Sequence, residues 1–99
     1  MSYTVRFTPT AARDLQRLFD FLAERDLKAA RLARAAIAKG IKFLRTFPFS
    51  CRKVSVDHPL LRELIISFGA NGYVALFEIE NDQMVTILAI RHQREEDFF

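Results

Sequence analysis

The 99-residue sequence predicts an α+β domain in which an N-terminal helical hairpin packs on an antiparallel sheet. Three observations lead to this prediction. Short alternating or continuous apolar segments indicate strands at both ends of the chain. Between them, two longer segments place apolar residues three and four positions apart, which is typical of amphipathic helices. Only Asp26 and Leu27 connect these segments, so the two helices are expected to form an antiparallel hairpin.

The predicted elements follow the order β-α-α-β-β-β within a single domain spanning residues 1–99. Apolar residues alternate with polar ones over residues 3–7 and predict the first strand. Thr8 can cap the next helix, and Pro9 suits its first position because no N–H donor is needed there. Helices are predicted at residues 9–25 and 28–46, and further strands at residues 61–68, 73–79 and 84–90.

The second predicted helix has one broad apolar side, which carries Leu32, Ala36, Ile37, Ile41, Phe43, Leu44 and Phe47. Gly40 lies on this side, where a missing side chain allows the first helix or the sheet to approach closely. In the predicted strand at residues 73–79, Tyr73 and Phe77 share one face, while Val74 and Leu76 share the other. Because one helical layer covers only one face, we expect the second to be partly open to a partner.

Charged residues are distributed unevenly, although the net charge is only +3 at pH 7. Residues 1–53 contain twelve Lys or Arg and four Asp or Glu, whereas residues 54–99 contain three and eight. Eight basic residues and no acidic one lie in residues 27–56, and six of them follow one side of the second helix. Such a stripe suits an acidic peptide or a phosphate backbone; the alternative is a solvated helix face.

Composition also disfavours several functional classes. With 51% apolar and 27% charged residues, the chain is expected to fold, and no apolar stretch is long enough to span a bilayer. There is no recognisable signal peptide. Cys51 is the one cysteine, and His58 and His92 lie far apart, so we expect no disulfide, metal site or cofactor. A reduced, cytoplasmic protein without a membrane partner is therefore expected.

One set of basic residues could carry acid–base chemistry on RNA. Arg62 begins one predicted strand, Arg91 and His92 end another, and Arg52 and Lys53 lie in an irregular segment. If these strand ends converge, the cations would stabilise the charge that develops at phosphorus, and His92 would transfer protons near neutral pH. Alternatively, the arginines are surface charges beside buried strands, and His92 has no catalytic task.

Four segments of the sequence resemble those of a known protein family. They read VRFTPTAARDL at residues 5–15, LREL at 61–64, FGANGYVALF at 68–77 and VTILAIRHQRE at 85–95. In this order, they resemble the RelE/ParE toxin superfamily, and in particular its ParE-like branch, once called plasmid-stabilisation proteins. The resemblance covers essentially the whole chain, and the order of predicted elements agrees with it.

The resemblance implies a toxin of a bacterial type II toxin–antitoxin system, held inactive by an antitoxin with a disordered, acidic tail. ParE-like members inhibit DNA gyrase by binding, whereas RelE-like members cut mRNA on the ribosome. Phe98 and Phe99 cannot transfer a proton, which disfavours the nuclease. A gyrase inhibitor is thus the first hypothesis. A metal-free mRNA endonuclease using Arg62, Arg91 and His92 is the alternative, and an adaptor without toxicity is the third.

Two binding surfaces are expected on this basis. The antitoxin should place acidic residues over Arg31, Arg34 and Lys42 and apolar anchors on the sheet at Tyr73 and Phe77. A homodimer covering the same surface is the alternative. The resemblance implies that the target contacts the C-terminal segment, with Arg91, His92, Arg94, Phe98 and Phe99 as candidates.

Overall fold

The computed structural model describes residues 2–94, which form two helices and a five-stranded sheet. In chain order, the elements are β1 (Thr4–Phe7), α1 (Pro9–Ala23), α2 (Leu27–Leu44), a 3₁₀ helix (Pro48–Ser50), β2 (Arg52–Ser55), β3 (His58–Phe68), β4 (Asn71–Ile79) and β5 (Met84–His92). The predicted α+β class is confirmed. The short strand β2 is an addition, because its sequence lacks a clear alternation.

Both helices begin at a side-chain cap. The Thr8 hydroxyl accepts a hydrogen bond from the Ala11 N–H at 3.1 Å, and Pro9 occupies the first turn, as predicted. Asp26 caps α2 in the same way, because its carboxylate accepts from the Ala29 N–H at 3.1 Å. Residues 24–26 separate the helices, which pack against each other as the predicted hairpin.

The strand order in the sheet is β1-β5-β4-β3-β2. Strands β2 to β5 pair antiparallel, with a register shift between Leu76 and Phe77 of β4. Strand β1 instead pairs parallel to β5, with Val5 beside Val85. The sheet is therefore mixed, and the expectation of a wholly antiparallel sheet is wrong for this pair. A parallel pair needs a long crossover, which the intervening helices and strands supply.

The helices cover one face of the sheet and bury it. This core joins Leu18 of α1 and Ile37 and Leu44 of α2 to Tyr73, Ala75, Phe77 and Ile79 of β4. At Gly40, an added Cβ would lie 2.9 Å from Cγ1 of Ile66, so α2 approaches β3 so closely that a larger residue would force side chains of β3 to shift. The predicted close approach at Gly40 is confirmed, and the partner is the sheet.

Helix α2 buries a narrower side than the helical pattern predicts. Its buried residues are Ala30, Ala33, Ile37 and Leu44, whereas Leu32 and Phe43 are exposed. At 100° per residue, both exposed side chains lie about 120–140° around the helix from Ile37, which explains why they miss the core. Phe47, which follows the helix, is also exposed.

The opposite face of the sheet carries Ile65, Val74 and Leu76, and neither helix packs against it. Ile65 is exposed there, but Val74 retains only 2% exposure. No helix covers this face, but Val74 and Ala89 on it are buried, so the expectation of a partly open apolar surface holds mainly at Ile65. Within residues 2–94, no helix has the length and apolar character that crossing a bilayer requires.

Candidate functional site

The proposed cluster of strand-end cations is not assembled. Strands β3 and β5 run in the same direction, because each pairs antiparallel with β4 between them. Arg62, near the start of β3, lies beside Phe77, whereas His92, at the end of β5, lies beside Tyr73. Four residues of strand separate these positions by about 13 Å along β4, and two strand spacings add about 10 Å across it. The strand ends of Arg62 and His92, whose convergence the nuclease hypothesis requires, therefore do not converge.

Arg91 is the chain neighbour of His92, but the two side chains lie on opposite faces of the sheet. It pairs with Val74, on the face of the sheet opposite the helices, while His92 is the next residue and points to the helical face. Its guanidinium contacts the carbonyl oxygen of His92 at 3.3 Å. A shared reaction centre of Arg62, Arg91 and His92 consequently does not exist in this fold.

Arg62 points into the protein and binds backbone. Its Nε donates to the carbonyl oxygen of Pro59 at 2.8 Å, and its Nη1 donates to those of Phe49 at 2.8 Å and Cys51 at 3.0 Å. The guanidinium also lies 5.2 Å from the centre of the Phe49 ring, and the residue is only 8% exposed. Arg62 therefore fastens the 3₁₀ helix and the start of β2 to β3.

The neighbouring basic residues of β2 have different surroundings. Arg52 forms an ion pair with Glu63 of β3, with Nη2 2.9 Å from the carboxylate. Lys53 pairs across the ladder with Arg62, and its side chain is exposed. Cys51 is buried, and this desolvation raises the pKa of its thiol, although the positive charge of Arg62 acts in the opposite direction. A buried, protonated thiol is a poor nucleophile.

His92 lines a groove of about 720 Å³ between α1 and the turn joining β3 and β4. The imidazole meets the Tyr73 ring edge-on at 5.6 Å, and Phe68 stacks on the other side of Tyr73 at 6.2 Å. The backbone N–H of Arg94 donates to Nδ1 of His92 at 3.1 Å, which directs Nε2 away from that bond. Arg17 also lines this groove. The groove combines cationic and aromatic groups.

Tyr73 and Phe77 do not form an exposed docking surface. Both lie on the face that the helices cover, and Phe77 is 0% exposed. Burial also raises the pKa of the Tyr73 hydroxyl. The expectation that Phe77 anchors a partner is wrong in this fold, because the alternation in β4 defines two faces without telling which one the helices cover. Tyr73 is 3% exposed and lines the groove around His92, so its role as an anchor stays a prediction.

The basic stripe of α2 is present on the surface. Arg31, Arg34 and Lys42 are all exposed, and the Arg34 guanidinium rests 4.5 Å from the centre of the Phe19 ring on α1. Of the candidate target contacts, His92 and Arg94 line the groove, whereas Phe98 and Phe99 lie outside the described residues. Residues 2–94 contain no group of three metal-ligating side chains.

Comparison with known proteins identifies the family of this chain. Residues 5–97 match the family model described as the ParE toxin of the type II toxin–antitoxin system parDE. The chain belongs to the ParE toxin family. Family membership makes it a toxin of a type II toxin–antitoxin system and implies a cognate antitoxin as its partner.

Individual relatives match this ParE-family chain over most of its length. Toxin RelE3 of Caulobacter vibrioides is 36% identical over 92 residues, which cover 93% of this chain and 96% of the relative. Toxin RelE1 of the same organism is 33% identical over 79 residues, covering 80% and 82%. A chain of the chromosomal ParDE TA system from P. aeruginosa shares the fold with a TM-score of 0.73 at 21% identity, covering 92% of this chain and 96% of that one.

Two features of this ParE-family chain were missed from the sequence. The inward orientation of Arg62 follows from a signal that was available, because Arg62, Leu64 and Ile66 share one face by their period of two. The exposure of Phe43 and Phe47 had no such signal, since both continue an apolar helical pattern.

Proposed function

We propose that this ParE-family toxin acts by binding and inhibiting DNA gyrase. The observation that carries the proposal is the engagement of Arg62 by three backbone carbonyls, at the end of the sheet remote from His92. A metal-free nuclease needs cations and a proton-transferring group around one phosphate. Inhibition by binding needs only complementary surface. A cytoplasmic location follows from this proposal, because gyrase acts on cytoplasmic DNA.

The mRNA endonuclease is the second candidate function. His92 and Arg94 share the groove with Arg17, so one imidazole and two guanidinium groups surround a common space. The relatives from Caulobacter vibrioides carry RelE names, which also favours this candidate. It requires that these groove residues replace Arg62 in stabilising the reacting phosphate.

Two assays on the purified toxin separate the candidates. The binding proposal expects inhibition of gyrase supercoiling, with ribosome-bound mRNA left intact. His92→Ala should then weaken inhibition only by the equivalent of about 1–2 kcal/mol, as is usual for an interface truncation. Cleaved mRNA that becomes intact with His92→Ala, together with unaffected gyrase, would establish the nuclease instead. No effect in either assay, with harmless expression in cells, would indicate the adaptor.

We also propose that the antitoxin lies along the basic stripe of α2. Arg31, Arg34 and Lys42 offer positive charge to an acidic segment, and the exposed side chain of Leu32 supplies the apolar contact first assigned to the sheet. A disordered acidic segment gains charge complementarity and apolar burial on such a surface.

The antitoxin surface is tested by charge reversal. Arg31→Glu combined with Lys42→Glu should weaken antitoxin binding at least about 10-fold, with a smaller loss at high salt. Arg13→Glu on α1, combined with Arg25→Glu in the link between the helices, makes the same change of charge elsewhere. Equal losses from both pairs, measured by calorimetry, would refute the stripe as the specific site.

A further inference from the structure

A second surface lies at the corner where α2 ends and β3 begins. Six of the ten large apolar side chains that are exposed in the described part of the chain belong to residues 43–60. They are Phe43, Phe47, Phe49, Val54, Val56 and Leu60. Neither the groove around His92 nor the stripe of Arg31, Arg34 and Lys42 includes any of them. Large exposed apolar side chains that are concentrated in one segment in this way are typical of an interaction site.

These side chains are held in place by the fold. The rings of Phe43 and Phe47 contact each other at 5.4 Å between centres. The Phe49 ring rests against Arg62, whose guanidinium also binds the carbonyl of Pro59, next to Leu60. A partner therefore meets a preformed surface and spends little conformational entropy on ordering it.

The rim of this surface is positively charged. Lys39 lies one helical turn before Phe43 on the same side of α2, and Lys53 lies beside Arg62 in the ladder. Residues 39–60 contain five basic side chains and one acidic side chain, Asp57. We call Phe43, Phe47, Phe49, Leu60, Lys39 and Lys53 the corner patch.

We propose that the corner patch docks an acidic, partly apolar protein surface on the toxin's target. Aromatic anchors inside a charged rim are the composition of binding hot spots. A second copy of this chain would bring the same lysines face to face, which opposes pairing. A phosphate backbone would satisfy the lysines but leave Phe47, at 52% exposure, and Phe49, at 54%, without apolar contact. The proposal rests on the proposed function, in which the toxin acts by binding a protein.

The test compares two double variants of the full chain. The patch variant carries Phe47→Ala and Lys53→Glu. The control variant carries Leu27→Ala and Arg13→Glu, which also remove one exposed apolar side chain and reverse one exposed cation. All four positions are exposed, and circular dichroism melting verifies that both variants fold. Gyrase supercoiling, antitoxin binding, oligomeric state and growth arrest in cells are measured for each.

The patch variant should need at least about 10-fold more protein for half-inhibition of supercoiling and should lose growth arrest. The control variant should match the wild type, and both variants should bind antitoxin normally. Raising the salt concentration should weaken the wild type more than the patch variant, because only the wild type makes the charged contacts.

Other outcomes overturn the inference. If the patch variant inhibits gyrase and arrests growth like the wild type, the corner patch does not contact the target. If it loses antitoxin binding, or dissociates a wild-type dimer while retaining full inhibition, then the antitoxin or a second copy occupies the surface. If the wild type does not inhibit gyrase, the proposed function fails, and the corner patch is then judged from growth arrest alone. Loss of growth arrest in the patch variant would uphold the patch, and growth arrest like that of the wild type would overturn it.

Discussion

Substituting Arg62 by Ala should destabilise the fold, because the side chain holds the 3₁₀ helix and β2 to β3. The change removes three hydrogen bonds from a buried cation to the carbonyls of Phe49, Cys51 and Pro59. At about 1–1.5 kcal/mol of net stabilisation for each bond, the free energy of unfolding should fall by about 3–5 kcal/mol. A domain of this size has about 5–15 kcal/mol in total, so much of its stability would be lost.

Urea unfolding followed by circular dichroism measures this loss. Arg62→Met retains the apolar stem of the side chain and isolates the contribution of the hydrogen bonds. Arg13→Ala, at an exposed position of α1, serves as the control and should change stability by less than about 0.5 kcal/mol. If Arg62→Ala unfolds at the same urea concentration as the wild type and yet loses activity, then Arg62 contacts the target and does not stabilise the fold. That result would refute the structural assignment.

Two further variants and one labelling reaction test the packing. Gly40→Ala should destabilise by up to about 2 kcal/mol, because the clash with Ile66 outweighs a gain of about 1 kcal/mol in helix propensity. Ala35→Gly, at an exposed site of the same helix, measures that propensity alone; stabilisation by Gly40→Ala would contradict the tight packing. Asp14→Ala should cost about 1–3 kcal/mol in thermal or urea unfolding, because the carboxylate accepts a hydrogen bond at 2.9 Å from a backbone N–H of β5; an unchanged midpoint would show that water replaces it. The thiol of Cys51 should react slowly with iodoacetamide at neutral pH in the folded protein and rapidly in denaturant, because burial raises its pKa; equal rates would refute its burial.

Much of the fold could be predicted because its signals are local. The cap at Thr8, the proline after it and the helical spacing each depend on neighbours within a few residues. The tight packing at Gly40 could also be anticipated from its place on the apolar side of α2. The parallel pairing of β1 with β5 could not, since it joins residues about 80 positions apart and leaves no local mark.

The candidate site was harder to predict because it depends on strand pairing. Arg62 and His92 each sit near the end of a strand, and sequence shows neither the direction in which two separated strands run nor the face that helices cover. Because β4 lies between β3 and β5, the two residues stand at opposite ends of the sheet. Phe77 is buried because the helices cover its face, which the strand pairing alone does not determine. Without the strand pairing, the sequence thus suggested a catalytic cluster of residues that lie far apart.

The surroundings of each cation determine what it can do for a partner. Arg62 is committed to backbone carbonyls, Arg52 to Glu63, and Arg6 to Glu80 at 2.7 Å, so these charges mainly hold strands together. The cations of α2 project outward instead, and Lys53 stands on the exposed edge strand. Counting charges along the chain therefore overstates what an acidic partner can meet. The attraction that remains is concentrated on α2 and beside the exposed phenylalanines, which are the surfaces that we propose for the antitoxin and for the target, respectively.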